Sequence, residues 1–414
     1  MNKINPLILL ALFTLLCGCT ERGSNTHKKS EAMAVDSTKQ YGYNREFLKK
    51  YTKVIELKNR NAALLMVPAM QGRVMTSTSE GDKGFSFGWI NRSLISSGKS
   101  QKHINPYGGE ERIWLGPEGG QYSIFFSKGK DFTYENWQTP GFIDTQPYDV
   151  SSSTDSSASF RMSVSIVNYS GTLFDLSIER KVTLLTENEI SRQAGIGLEG
   201  LNCVAYSSEN KLTNKGKVAW KKDSGLLSVW MLGMYNPSPA VVVVIPVREG
   251  DESKLGLMVN DNYFGKISPD RLRVAGNHIF FKADGKKRGK IGIPPLRAAG
   301  VMGSFDFENN ILTLLFCKLP EGVKDYVNSA WQIQKDPFSG DAFNSYNDGP
   351  LEDGSQMGPF YELETSSQAA ALSPGESLTH SQTTVHLTGS RNDLDRVATK
   401  VLGVSLDVIE KAFQ

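Results

Sequence analysis

Two alternating runs on either side of a short turn restrict the fold more than any other feature. In SASFRMSVSIV, Phe160, Met162, Val164 and Ile166 alternate with Arg161, Ser163 and Ser165, which sends the apolar set to one face of a strand. After NYSGT, the run LFDLSIERKVTLL sets Phe174, Leu176 and Ile178 against Asp175, Ser177 and Glu179. The pair reads as an antiparallel hairpin. AVVVVIP, starting at Ala240, is apolar without a break between Pro239 and Pro246, as expected of a strand buried on both faces with sheet on either side.

Helical periodicity is confined to the ends of the body. NREFLKKY is one short candidate. In SRNDLDRVATKVL, Leu394, Val397 and Val401 share a face behind polar starts at Ser390 and Asn392, and Ser405 begins a last turn or two running to Phe413. Between residues 43 and 389 the texture is strand and turn, with SSSTDSSA as one long polar loop and no linker. The expectation is an all-β body spanning 43–414, built as one large two-sheet unit; a tandem of two sandwiches is the alternative.

The amino terminus carries an apolar stretch, Pro6 to Leu16, behind Lys3. It is too short to span a bilayer as a stable helix and reads as a secretory signal over 1–18. Leu16-Cys17-Gly18-Cys19 resembles a bacterial lipobox, which implies cleavage before Cys19 and lipidation of its thiol. Residues 19–42 are polar and aperiodic, a flexible tether with a reach on the order of 25 Å. The expectation is a protein lipid-anchored in the bacterial envelope, and Thr20 after the cysteine favours the outer membrane, facing the periplasm or the cell surface. Cys203 and Cys317 lie far apart among apolar neighbours and read as buried free thiols. No zinc-ligand spacing is present, and no cofactor is expected. The formal net charge of +2 is dispersed, which argues against nucleic acid as a partner.

The stretch GGEERIWLGPEGG gathers Glu110, Glu111, Arg112 and Glu118 around Trp114. A guanidinium can fork onto two oxygens, a carboxylate accepts from polar hydrogens, and an indole offers a flat apolar face, so the cluster raises the question of a site. The surface alternative is a local ion pair at a strand end, with Trp114 in the core. Further along, Asn344, Asn347, Asp348 and Asp353 occupy a glycine-rich segment that reads either as the rim of a cleft or as an ordinary turn.

The segment FYELETSSQAAALSPGESLTHSQTTVHLTG resembles the C-terminal strands of the aldose 1-epimerase, or galactose mutarotase, superfamily, through Leu363-Glu364-Thr365, Pro374-Gly375-Glu376 and the alternating strand after them. MQGRVMTSTS around Gly72, Glu111-Arg112-Ile113 and the KLTNKG turn are weaker matches in the same order. The resemblance implies a supersandwich of antiparallel sheets with short terminal helices and a carbohydrate as partner. It places Glu364 as the general base and Arg112, with Glu111, on the sugar hydroxyls; Glu110, Trp114 and Asp348 complete the expected binding set. The family's acid is a histidine on the strand that here reads SVWMLGMY, with Ser228 and Trp230 and no histidine. His103 and His278 are the candidates to replace it, ahead of His380 and His386 on the last strand. Three readings follow: a carbohydrate-binding protein without efficient epimerase activity, a carbohydrate-active enzyme using Glu364 (an epimerase with a relocated acid, or a glycan-cleaving enzyme), and a structural envelope protein.

Overall fold

The computed structural model describes residues 36–414; the signal segment, Cys19 and the tether as far as residue 35 lie outside the described residues. The large sheet has ten strands, all antiparallel. In spatial order they are Leu272–Ala275, His278–Lys282, Val241–Pro246, Val301–Asp306, Ile311–Cys317, Ser377–Gly389, Leu201–Asn214, Leu173–Leu184, Ser157–Val167 and Asp149–Ser153. The hairpin read from the sequence is there, with Phe160 opposite Arg180 and Ile166 opposite Phe174. The valine-rich strand lies between two neighbours, as its double-sided apolar character requires.

The small sheet has five strands in the order Gly289–Ile293, Phe343–Asn347, Tyr361–Ser366, Ser228–Tyr235 and Arg112–Gly116. One of its faces packs on the large sheet. Ile113, Leu115, Val229 and Met231 from the small sheet share a buried cluster with Leu176, Ile178, Val204 and Tyr206 from the large one. Ile291, Phe343 and Leu363 do the same against Val241, Val243 and Phe281. The opposite face of the large sheet is covered by the helix Arg391–Leu402 and the turn of helix Leu406–Glu410, which bury Leu394, Val397, Leu402, Leu406 and Ile409 on Val244, Leu314 and Leu387. Ser390 caps the longer helix by accepting from the Asp393 N–H, worth about 1 kcal/mol. Ile55–Asn59, Ala62–Val67 and Arg73–Thr78 form a third, three-stranded sheet, against which the helix Tyr41–Tyr51 packs.

The all-β, antiparallel architecture with short helices is the one the sequence implies, with four local departures. Structure starts inside the stretch read as tether: Ser37–Lys39 forms a helical turn, and Tyr41 opens a helix with its ring fully buried. SSSTDSSA is not a long loop but the turn of a hairpin between Asp149–Ser153 and Ser157–Val167. Helix is also not confined to the ends, because Glu187–Ala194 is an internal helix started by a reciprocal Thr186–Glu189 capping box. The segment around Asn344 and Asn347 is an interior strand of the small sheet.

Candidate functional site

In an antiparallel pair, residues directly opposite one another project to the same face, and faces alternate along each strand. The register of the small sheet therefore fixes which side chains meet. Arg112 and Glu364 both lie opposite Leu232, Trp114 lies opposite Trp230, Glu364 lies opposite Asn344, and Glu362 and Lys290 both lie opposite Tyr346. All of these project away from the large sheet. Residues separated by some 250 positions thus come together on one surface.

The contacts on that face are ionic and aromatic. Arg112 Nη2 donates to Glu362 Oε1 at 2.8 Å, and Lys290 Nζ to Glu364 Oε2 at 2.9 Å. The Trp230 indole Nε1–H donates to the same Glu364 oxygen at 2.8 Å. Arg112 lies 4.5 Å from the centre of the Trp114 ring and Lys290 4.7 Å from that of Trp230, within cation–π range. The two indoles meet edge to face at 5.5 Å. An aromatic wall continues from Trp114 through Phe125 and Trp137 to Trp331.

Hydrogen bonding at this face is incomplete. Arg112 Nε and Nη1, Trp114 Nε1, Ser228 Oγ and Glu364 Oε1 are all buried without a partner. An unmatched buried polar group costs about 1–3 kcal/mol, and here five such atoms lie on one face of one sheet. Four are donors or hydroxyls and one is a carboxylate oxygen.

The carboxyls are tuned by burial. Desolvation raises Glu362 to about 7, against the pull of Arg112, with the neighbouring Glu364 charge pushing the same way as burial. Glu118 is raised to about 6 by burial, opposed chiefly by Lys290 and then by the Trp331 side chain. Burial also lifts Asp341 to about 6, although Tyr263 and Asn260 donate to it and favour its charged form. Carboxyls poised near neutrality beside fixed cations are the arrangement expected where protons or polar ligands are handled.

The face is closed. Glu364 is 0% exposed, Arg112 3% and Trp230 6%. Tyr263, from the stretch between Leu255 and Leu272, packs 5.6 Å from Lys290 and bonds to Asp341 and Asn344. On the other side, residues 328–334 sit on the 117–121 turn: the Ser329 hydroxyl accepts from the Glu118 N–H, and Gln121 and Gln334 bond reciprocally.

Of the residues singled out from the sequence, Arg112, Trp114 and Glu364 share this face, and Asp348 sits at its margin, buried and accepting from Tyr346 at 2.6 Å. Glu110 and Glu111 do not join them. Glu111 faces the large sheet, where it accepts from Arg180, Ser208 and Gln382; Glu110 binds Ser77 and His386. The alternation of the strand sends Glu111 to the face opposite Arg112. His278 lies on the large sheet with Nε2 on the Leu402 carbonyl at 2.8 Å, remote from Glu364. His103 packs on Tyr134 and binds the Trp137 carbonyl at 2.6 Å, behind the aromatic wall. His380 and His386 are buried between the sheets. Among the described residues, no group of three or more His, Cys, Asp or Glu side chains could hold a metal ion, and no helix is long and apolar enough to cross a membrane.

A family model, described as a family of unknown function and labelled DUF6786, matches residues 39–413. The chain belongs to this family. No curated protein matches it. Solved structures similar to this DUF6786 member include the Slr1438 protein of Synechocystis sp. PCC 6803 (12% identity, TM-score 0.48, covering 82% of this chain and 96% of that one). A galactose mutarotase-like protein from Lactobacillus casei (12%, TM-score 0.47, 81% and 100%) and a galactose mutarotase related enzyme from Lactobacillus acidophilus (8%, TM-score 0.46, 82% and 98%) are two others.

Sequence reasoning missed Glu362, Lys290, Tyr263 and Asp341 in this family member. Glu362 was recoverable, because two residues before Glu364 on one strand means the same face. Lys290, Tyr263 and Asp341 carry no local signal; only strand pairing and loop packing bring them to Glu364.

Proposed function

We propose that this protein is a lipid-anchored envelope protein that binds a carbohydrate on the outer face of its small sheet, without efficient epimerase activity. The observation that carries the reading is the set of buried, unpartnered polar atoms on Arg112, Trp114, Ser228 and Glu364, set among indole rings. Sugar hydroxyls both donate and accept, so one ring can satisfy Glu364 Oε1 and the Arg112 and Trp114 N–H groups together while its flat face lies on an indole. Entry requires the Tyr263 segment and the 328–334 segment to part.

The strand that would present a histidine in the superfamily the sequence resembles presents Trp230 instead. Its indole N–H donates to Glu364 but does not ionise, so it cannot serve as the acid. A second reading rests on Glu362, held near neutrality two residues from Glu364. In that reading Glu364 takes the proton of the anomeric hydroxyl, Glu362 gives one to the ring oxygen, and the ring opens, rotates and recloses as both protons return.

Calorimetric titration with galactose and glucose, run beside polarimetry on the freshly dissolved α-anomers, separates the two readings. Saturable binding without faster mutarotation is the expected result. Acceleration lost in both Glu364→Gln and Glu362→Gln would establish the enzyme, and absence of both binding and acceleration with any common monosaccharide would overturn the site. The anchor has its own test: Cys19→Ala should release the protein from the membrane fraction after a salt wash, and retention would refute lipidation at Cys19.

A further inference from the structure

A cavity of about 200 Å³ opens beside the strand Ser377–Gly389, lined among others by Lys318, Tyr326, Ser366, Ser367, Thr379 and His380. It is separate from the face that carries Glu364, because His380 binds Thr365, which the strand alternation sends to the opposite side. The cavity is smaller than the 300–1,000 Å³ typical of drug-sized ligands. At ~30 Å³ per liquid water it has room for about seven, hence for one small molecule.

A buried hydrogen-bond relay fixes the chemistry of its inner wall. Glu111, paired with Arg180 at 2.5 Å, can only accept, so Gln382 turns its amide Nε2 to it at 2.5 Å and presents its carbonyl oxygen to Thr365. The Thr365 hydroxyl spends its proton on that carbonyl at 2.7 Å and must accept from His380 Nε2 at 2.7 Å. His380 is therefore the Nε2–H tautomer, and Nδ1 is left as a bare acceptor. Burial pushes the imidazole down to about 4, so it stays neutral. The Cys317 thiol, 3.9 Å from Nε2, is pushed up to about 12 and contributes no charge.

Two further features define what this wall can take. The Tyr326 hydroxyl is buried without a partner, an unsatisfied group that ordinarily costs about 1–3 kcal/mol. Lys318 is the single charged residue of the lining, and the lining has no carboxylate. The inventory is a cation and a phenol for oxygen, plus one bare nitrogen for a hydroxyl proton.

We propose that this cavity binds a small hydroxylated carboxylate, its carboxylate held between the Lys318 ammonium and the Tyr326 O–H and a hydroxyl donating to His380 Nδ1. The site owes nothing to the carbohydrate reading of the small sheet. Its charge preference differs as well, since carboxyls crowd that face and none lines this one.

The test uses D-glycerate and L-lactate as probes and glycerol as their uncharged counterpart, titrated into the whole protein by calorimetry and followed by the His380 imidazole nitrogen resonances. Saturable binding of the acids is expected, with a shift at Nδ1 rather than Nε2 and at least tenfold weaker binding of glycerol. Tyr326→Phe removes only an unpartnered hydroxyl, so the fold should keep or slightly gain stability while acid binding falls by about tenfold or more. Lys318→Gln, at an exposed position, should weaken the acids without touching glycerol, and Glu364→Gln should change nothing. No binding at tens of millimolar, glycerol binding as well as glycerate, or acid binding unchanged in Tyr326→Phe would each overturn the proposal.

Discussion

Two ionic groups flank the same strand, Arg112–Gly116, and they are built differently. On the side facing the large sheet, Arg180 uses Nε on the Gly72 carbonyl, Nη1 on Asn210 and Nη2 on Glu111, while both Glu111 oxygens are occupied. On the outer side, Arg112 uses one nitrogen of three and Glu364 one oxygen of two. A closed network holds two sheets together, and an open one of equal burial leaves bonding capacity for something else. Charge and burial alone do not separate structure from site; hydrogen-bond satisfaction does.

The largest expected effect breaks the closed side. Arg180→Met strands Glu111 among buried neighbours, and removing one partner of a buried pair costs about 3–5 kcal/mol. Urea unfolding should show a loss of that size, and a loss below ~1 kcal/mol would erase the distinction between the two sides. On the open side, Glu364→Gln keeps the shape and leaves an oxygen for Trp230 and for the partly exposed Lys290, so its stability cost should stay below that of Arg180→Met, at about 1–3 kcal/mol. A hydrogen bond to a charged group is worth about 1.5–3 kcal/mol, so sugar affinity should fall by roughly 10- to 150-fold in the calorimetric titration.

The pH dependence of stability sharpens the contrast. Glu362 has a folded pKa near 7 because of burial, above the ~4.3 of an unfolded chain. The native state binds more protons than the unfolded one between these values, so the group's contribution falls as pH rises from about 4 to 7. Glu118, raised to about 6, adds the same sign. Urea midpoints measured across that window should decline more steeply in the wild type than in Glu362→Gln; equal slopes would mean that Glu362 is not raised. The smallest effect is that of Trp230→Phe, which removes one neutral donor to Glu364. Sugar affinity should drop only about 2- to 12-fold, the worth of an ordinary hydrogen bond.

The sheets were legible because their signal is local. Alternation from Phe160 to Ile178 marks a hairpin within some twenty residues, and the valine run at 241–245 needs no partner to announce that it is buried. The site was legible only where a motif carried it. Glu364 came from a resemblance, and Arg112 with Trp114 from a cluster of unusual residues, whereas Lys290 reaches Glu364 through three strands of pairing that no window of sequence contains. Glu110 and Glu111 misled because three charged residues in a row look like one site: alternation parts Glu111 from Arg112, and Glu110 lies before the strand begins at Arg112, where its side chain meets Ser77 and His386 instead. The histidines misled for a related reason: spacing shows that His380 and His386 share a face, but not that the face is turned to the interior.

The position of the strand Ser377–Gly389 in the large sheet governs how the chain can be made. Its neighbours are Leu201–Asn214 on one side and Ile311–Cys317 on the other, so the sheet's two halves are joined by a strand that follows all nine of the others in the chain. Until it arrives, each half ends in an unpaired edge, the kind of surface that templates pairing with other chains. A ribosome delivering roughly 5–20 residues per second needs on the order of 4–14 s to pass from the neighbouring strand to the end of this clasp, and both edges stay open meanwhile. A chain cut before residue 377 would hold every other strand of both half-sheets and lack the one that closes them, so the two halves depend on a single segment that neither of them contains.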